Sequence, residues 1–199
     1  MTDKTALRRQ LRQRRRALTP LQRRQAEVAV ARQLRRLIRR GQRVAAYMAF
    51  GTELSLRSWL EQAALHGVSV YLPQIPAHGR KMRFSAWHAA SAWRRNRFGI
   101  AEQRSRQTLA ARQLDVVLLP LVGFDLAGNR LGQGGGYYDA TLAFRRLQTH
   151  WKKPRLYGIA FDCQRVEQLP VEVHDIRLDG IISESGLLRH RGNAPHVAD

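Results

Sequence analysis

Leu131-Gly132-Gln133-Gly134-Gly135-Gly136-Tyr137-Tyr138-Asp139 puts four glycines in five positions, followed at once by two tyrosines and a carboxylate. A glycine run costs conformational entropy, and no core packing compensates for it. It makes sense where a ligand must come close to backbone amides, and phosphate is the group such loops bind. No Gly-Lys-Ser/Thr follows, so this is not a Walker A loop, and the third glycine of the dinucleotide fingerprint is missing. Asp139 could stabilise the start of the next helix or hold Mg²⁺ beside phosphates, since Mg²⁺ takes one or two carboxylates along with water and phosphate oxygens. Asp175, in His174-Asp175-Ile176, is either a second such carboxylate or a turn cap. Lys4 and Arg8 lie one helical turn apart and share a face, which suits a polyphosphate grip and equally a solvated surface. Glu53, in Gly51-Thr52-Glu53-Leu54, is placed either to read a ligand's N–H groups or to cap a turn.

These residues need elements to position them. Leu7, Leu11 and Leu18 recur at helical spacing and predict a first helix over about 3–18. Thr19-Pro20-Leu21-Gln22 carries a capping box with proline in the first turn, so a second helix starts there and runs to Gly41. Arg43 to Phe50 reads as a buried strand. Ser55 caps a helix that turns Leu56, Trp59, Leu60 and Ala63 inward and ends at Gly67. Val68 to Leu72 is a strand stopped by Pro73, and Met82 to Trp87 is another. Asp115 to Pro120 is a short apolar run suited to a central parallel strand. The glycine loop follows it, then a helix over about 137–148. Arg155 to Phe161 and Asp179 to Ser183 are the last strands. Alternating strands and helices predict a single α/β domain with a mostly parallel sheet flanked by helices. It occupies residues 1–188, with a disordered tail over 189–199. In such sheets ligands bind beyond the strands' carboxyl ends, which is where the glycine loop falls.

A chain of 199 residues can bury a sizeable core without disulfides or metal. The lone Cys163 reads as a small buried apolar residue. No apolar run is long enough to span a membrane, and the Arg-rich start lacks the apolar core of a secretory signal, so the chain reads as cytoplasmic. The net charge is +20, and residues 1–43 hold fifteen Lys/Arg against Asp3 and Glu27. Such a segment attracts nucleic acid, membrane surfaces or phosphorylated ligands, or is simply a solvated helix face.

Together these residues resemble the 5-formyltetrahydrofolate cyclo-ligase (5,10-methenyltetrahydrofolate synthetase) family over about Lys4 to Glu184. Its most specific stretch runs from Pro120-Leu121-Val122-Gly123-Phe124-Asp125 through Gly128-Asn129-Arg130-Leu131-Gly132 to Gly136-Tyr137-Tyr138-Asp139. Lys4-x-x-Leu7-Arg8, Glu53, Leu169-Pro170-Val171-Glu172 and His174-Asp175 fit it as well. The resemblance implies a NagB/RpiA/CoA-transferase-like fold. It also implies an ATP- and Mg²⁺-dependent closure of 5-formyltetrahydrofolate to 5,10-methenyltetrahydrofolate, with ADP and phosphate as the other products. By the same resemblance, Lys4, Arg8, Arg130 and Tyr138 are the catalytic residues. Lys4, Arg8, Arg130, Gly132, Gln133, Gly134, Gly135, Gly136, Tyr137 and Tyr138 hold the nucleotide. Met48, Glu53, Phe98 and Tyr138 take the folate, and Asp139 with Asp175 takes Mg²⁺. Some members carry lysine where this chain has Gly135, and many carry an acidic residue and threonine where it has Ser55 and Leu56. The expected protein is a monomer acting on folates that can be polyglutamylated. It has no membrane association and no specific nucleic-acid partner. Two other readings stand beside this one: an ATP-dependent enzyme of the same scaffold acting on another formamide or a thiamine-like compound, and nucleic-acid binding by the Arg-rich N-terminal helices.

Overall fold

The computed structural model describes residues 3–88, 93–95, 99, 101–103, 108–147 and 153–190. In chain order the elements are α1 (Lys4–Arg16), α2 (Pro20–Leu37), β1 (Arg43–Ala45), α3 (Arg57–Leu65), β2 (Ser69–Gln74), β3 (Arg83–Ala86), β4 (Trp93–Arg95), β5 (Ala101–Gln103), β6 (Thr108–Leu109), β7 (Val116–Pro120), β8 (Gly123–Phe124), β9 (Arg130–Leu131), α4 (Tyr137–Leu142), β10 (Arg155–Ile159), β11 (Gly180–Ser183) and β12 (Gly186–Arg189). The main sheet has the order β12-β11-β10-β7-β1-β2-β3-β6. Its five inner strands, β11 to β2, are parallel, while β12, β3 and β6 add antiparallel edges.

β7 shows why the sheet is sandwiched. Val116 and Leu118 pack into the core beneath α2 and α3, and Val117 and Leu119 pack into a second core with Leu142 of α4. Successive strand side chains alternate faces, so a strand apolar at every position needs cover on both sides. Burying each of these side chains contributes on the order of 1.5–3 kcal/mol.

The helix starts follow the sequence, and several ends do not. Thr19 and Gln22 form the capping box of α2. That helix stops at Leu37, because Ile38 is already extended, and Gly41 makes the turn beyond it at φ +80°. β1 is only three residues long, although Ala46 still donates to Tyr71 O (2.9 Å). The Ser55 hydroxyl accepts from Arg57 N (3.3 Å), but Leu56, not Ser55, is the N-cap of α3. β2 continues through Pro73 to Gln74 instead of stopping. Its pairing with β1 ends at Tyr71, so Pro73 faces a side where no partner needs its missing N–H. α4 spans six residues, and a 3₁₀ turn (Ala143–Leu147) takes over where one longer helix was expected. β12 runs through Arg189, and His190 N donates to Asp179 O (3.0 Å). Cys163 is half-buried at the edge of the α2–α3 core, and burial pushes its thiol up, so it stays protonated and inert.

Two details of the β8–β9 hairpin seat α1. A Cβ at Gly123 would stand 2.5 Å from Leu11 Cδ1. Any larger residue there would force the buried Leu11 side chain to shift. Leu11, with Val122, Leu131 and Leu169, forms a small core of its own. The hairpin turn is tied by the buried Asp125, whose Oδ1 accepts from Ala127 N and Asn129 N (both 3.0 Å). Its Oδ2 accepts from Asn129 Nδ2 (2.9 Å) and Leu169 N (3.1 Å). The Gly-Phe-Asp…Gly-Asn-Arg string thus builds a scaffold, and the carboxylate of Asp125 is fully used in doing so.

Candidate active site

α1 is the organising element. Asp3 caps its first turn by accepting from Thr5 N (2.7 Å), and that hydrogen bond holds the Asp3 carboxyl below its ordinary value. Lys4, Arg8, Arg12 and Arg15 then repeat every three or four residues, so they form one stripe along the helix. Each reaches a different part of the site. Lys4 Nζ contacts Glu172 Oε1 (2.8 Å) and Asp175 Oδ2 (3.1 Å). Arg8 Nε donates to Gly132 O (2.9 Å). Arg12 Nη2 donates to Gln133 Oε1 (2.8 Å). Arg15 Nε donates to Thr52 Oγ1 (2.9 Å), and its Nη1 lies 3.5 Å from Leu121 O. The stripe covers about 16 Å of helix at the standard rise.

The glycine loop lies between β9 and α4. Gly134 and Gly136 have φ of +103° and +67°, conformations that other residues rarely adopt. Arg130 is buried, and its Nη2 meets Asp139 Oδ1 at 2.5 Å. Its buried Nε has no partner among the described residues, a cost of roughly 1–3 kcal/mol. The Arg130 guanidinium also lies 5.9 Å from the centre of the Tyr138 ring. Burial, with Glu53 nearby, pushes the Tyr138 phenol up, so it stays neutral. Tyr137 folds against the loop, 3.0 Å from where a Cβ of Gly135 would be.

The two carboxylates assigned to a metal meet at one end of α1. Asp139 Oδ1 accepts from Ile176 N (3.4 Å), next in sequence to Asp175. Asp175 Oδ2 accepts from Glu172 N (2.9 Å) as well as from Lys4. Each therefore carries a cationic partner. Desolvation of Lys4 lowers its pKa, but the hydrogen bonds it donates to Glu172 and Asp175 outweigh that effect and leave it raised. Among the described residues no group of three or more His, Cys, Asp or Glu is arranged to hold a metal.

Glu53 closes its turn, and both of its carboxylate oxygens are engaged by the protein. Its Oε2 accepts from Phe50 N (3.0 Å), closing the turn, and its Oε1 accepts from Gln133 Nε2 (2.8 Å), joining the turn to the glycine loop. Arg12–Gln133–Glu53 is thus a continuous chain from α1 to the turn. Arg23 of α2 also holds this turn, donating to Thr52 O (3.0 Å), and it stacks 5.5 Å from the centre of the Phe161 ring. Met48 is half-buried against the α2–α3 core. Phe98 lies outside the described residues.

Lys4, Arg8, Arg130, Tyr137, Tyr138, Asp139, Asp175, Gln133 and Glu53 therefore come together around the loop. Arg12, Arg15, Arg23 and Thr52 are the members that motif reading missed. The signal for Arg12 and Arg15 was present: the spacing of Lys4 and Arg8 continues through them. Nothing local in the sequence marks Arg23 or Thr52, because they meet only after the two helices pack.

Comparison with known proteins gives one answer. The model of the 5-formyltetrahydrofolate cyclo-ligase family matches residues 1–184. The 5-formyltetrahydrofolate cyclo-ligase of Escherichia coli is 38% identical over 182 residues, covering 88% of this chain and 97% of that protein. The one from Haemophilus influenzae is 34% identical over 183 residues, covering 88% and 95%. The solved structure of Aquifex aeolicus 5,10-methenyltetrahydrofolate synthetase superposes with a TM-score of 0.78 at 27% identity, covering 98% of each chain. Among the described residues no helix is long and apolar enough to cross a membrane.

Proposed function

The chain belongs to the 5-formyltetrahydrofolate cyclo-ligase family, and from that premise we propose how its residues carry out the ring closure. The reaction is the ATP-dependent conversion of 5-formyltetrahydrofolate to 5,10-methenyltetrahydrofolate. The formyl carbon is a poor electrophile and its oxygen a poor leaving group. Transfer of the γ-phosphoryl group to that oxygen breaks the bond to ADP and activates the carbon. The N10 amine then attacks the carbon, loses its proton, and phosphate departs with the former formyl oxygen. Phosphoryl transfer asks a protein mainly for positioning and for charge aimed at the transferring group.

In this reading Arg8 and Arg130 grip the polyphosphate over the amides of Gly132–Gly136, and Lys4 reaches the γ-phosphoryl from the end of α1. Supporting it are Arg8 on Gly132 O and Arg130 beside Gly132, with Lys4, on the same face of α1 as Arg8, held at Asp175. The unpartnered, buried Nε of Arg130 agrees, since an anionic ligand would complete it. Tyr137 walls the nucleotide. The neutral Tyr138 faces the reacting formyl group and donates a hydrogen bond. Met48, Glu53 and Phe98 line the pterin side, with Glu53 accepting from ring N–H groups. Folates with polyglutamate tails fit the same proposal, since the +20 field attracts their carboxylates.

Asp139 and Asp175 form a hard oxygen donor pair of the kind Mg²⁺ takes together with phosphate oxygens. Both contacts of Asp139 use Oδ1, leaving Oδ2 as the oxygen for a cation. When bound, Mg²⁺ would neutralise phosphate charge. The protein's own part is to hold the two carboxylates side by side, with Lys4 and Arg130 released from them toward the phosphates.

The direct test mixes protein, Mg-ATP and 5-formyltetrahydrofolate and follows the near-ultraviolet chromophore of the methenyl product. Its appearance is expected; its absence with folded protein would overturn the reading, and a panel of other formamides would then follow. Asp139→Ala is expected to abolish turnover and, because it strips the buried Arg130 of its carboxylate, to lower the melting temperature as well. Full activity in that variant would remove Asp139 from the metal role.

A further inference from the structure

Three alternate glycines of the loop are each faced by an arginine from a different part of the chain. A Cβ on Gly132 would lie 3.0 Å from Arg130 Nη1, and one on Gly134 would lie 3.7 Å from Arg8 Cζ. One on Gly136 would lie 3.3 Å from Arg80 Nη1 and 3.9 Å from Arg80 Cζ. Arg130 and Arg8 belong to the site already described. Arg80 comes from the β2–β3 connection, a segment that no motif singled out.

The backbone beside Arg80 is tied to the site. Thr141 of α4 accepts from Met82 N (2.9 Å, buried) and donates to Tyr137 O (2.6 Å). The connection is therefore anchored to the helix that carries Tyr137, Tyr138 and Asp139. The Arg80 side chain remains exposed and lies over the open backbone at Gly136. Lys4 and Arg130 are each paired with a carboxylate, whereas among the described residues no carboxylate is ion-paired with Arg80. A guanidinium beside the glycine backbone at Gly136, with no acidic partner among the described residues, is poised for an incoming anion. Its planar fork matches a phosphate bidentately.

We propose that Arg80 is a third phosphate-gripping arginine of the loop, closing over the polyphosphate of ATP at Gly136 as Arg8 does at Gly134. The proposal rests on the reading of the loop as the phosphate site. It also explains how a loop with no cation of its own holds a polyanion: the charge arrives from α1, β9 and the β2–β3 connection together.

The test compares Arg80→Ala, Arg80→Lys, Lys81→Ala and Arg8→Ala in the full chain. It measures KM for ATP, KM for 5-formyltetrahydrofolate and inhibition by inorganic tripolyphosphate. Lys81→Ala removes the same unit charge one residue away and controls for the general field. Arg80→Ala is expected to raise KM for ATP about tenfold and to weaken tripolyphosphate inhibition in parallel, about the value of one charged hydrogen bond. KM for the folate should stay within about twofold, Arg80→Lys should recover part of the loss, and Lys81→Ala should change none of the three by more than about twofold. Equal effects of Arg80→Ala and Lys81→Ala, or a parallel rise in both KM values, would overturn the proposal. An unaltered Arg80→Ala beside an impaired Arg8→Ala would overturn it while leaving the loop reading intact. If neither arginine variant altered tripolyphosphate inhibition, the loop reading would fail and Arg80 with it.

Discussion

α1 and α2 look alike as strings of letters and behave in opposite ways. Both are crowded with arginine, and both lack an acidic residue in the first turn. In α2 the residues Ala26, Val30 and Leu34 are buried, and Arg24, Arg32, Arg35 and Arg36 point to solvent. In α1 only Leu11 and Arg15 are buried, and the basic stripe points inward onto the glycine loop and the Thr52–Glu53 turn. The difference lies in both composition and register: α1 carries seven cations in 13 residues, α2 five in 18. Leu7 and Leu11 dock α1 on the β8–β9 hairpin, and the cations spaced with them are carried to the site. A broad apolar stripe buries α2 against the sheet, and its cations other than Arg23 are left outside.

Charge removal is the sharpest way to break this contrast. Arg8→Ala is expected to lower kcat/KM for ATP about 100-fold, near the upper end of a charged hydrogen bond to a ligand. Arg36→Ala, on the outer face of α2, should change it less than about twofold. Equal losses in steady-state assays would mean that both helices act only through their field.

The next effect comes from packing. Gly123→Ala forces Leu11 off its seat, an overpacking worth about 1–3 kcal/mol. It should lower the melting temperature and, by shifting α1, reduce turnover about tenfold. A variant that lost stability with full activity would show that α1 tolerates displacement.

Arg15 gives a middle case, because it belongs to the stripe and is also buried. Burial lowers its pKa, but an arginine this far above neutrality remains charged. Arg15→Ala would leave Thr52 Oγ1 without its donor, costing about 2 kcal/mol in denaturant melts. It should raise KM for the folate more than KM for ATP, since it is the folate-side turn that loosens.

The smallest effect concerns pH. The pKa of Lys4 is raised in the folded protein, so its pairing with Glu172 and Asp175 favours the fold fully below the unfolded value. That contribution fades only as pH rises through the still higher folded value. The difference in melting temperature between the parent and Lys4→Met should therefore be flat from pH 6 to 9 and shrink only above about pH 10.5. A loss nearer neutrality would assign the titration to another group.

What the sequence made legible follows the same division. The glycine loop, the shared helix face of Lys4 and Arg8, and the both-face burial of β7 are local patterns legible from spacing, whereas the pairing of Asp139 with Asp175 came from the family resemblance. Pro73 inside β2, the short α4 and the seat of Leu11 on Gly123 depend on what lies alongside, which no window of sequence contains. Glu53 was legible as a turn cap, while its bridge to Gln133 depends on a loop 80 residues away. Arg15 and Arg23 were hidden because a buried arginine and a solvated one are the same letter until Thr52 arrives.

The reach of α1 bears on how the protein comes to life. Its contacts join positions 124 residues apart at Arg8 and Gly132, and 171 apart at Lys4 and Asp175. Such closures are the most entropically demanding in the chain and have no local reward before the sheet exists to receive them. Recovery of turnover after dilution from denaturant should accordingly trail recovery of the helical circular dichroism signal. Catalytic competence would then report the final step of folding, the moment the two ends of the polypeptide clasp.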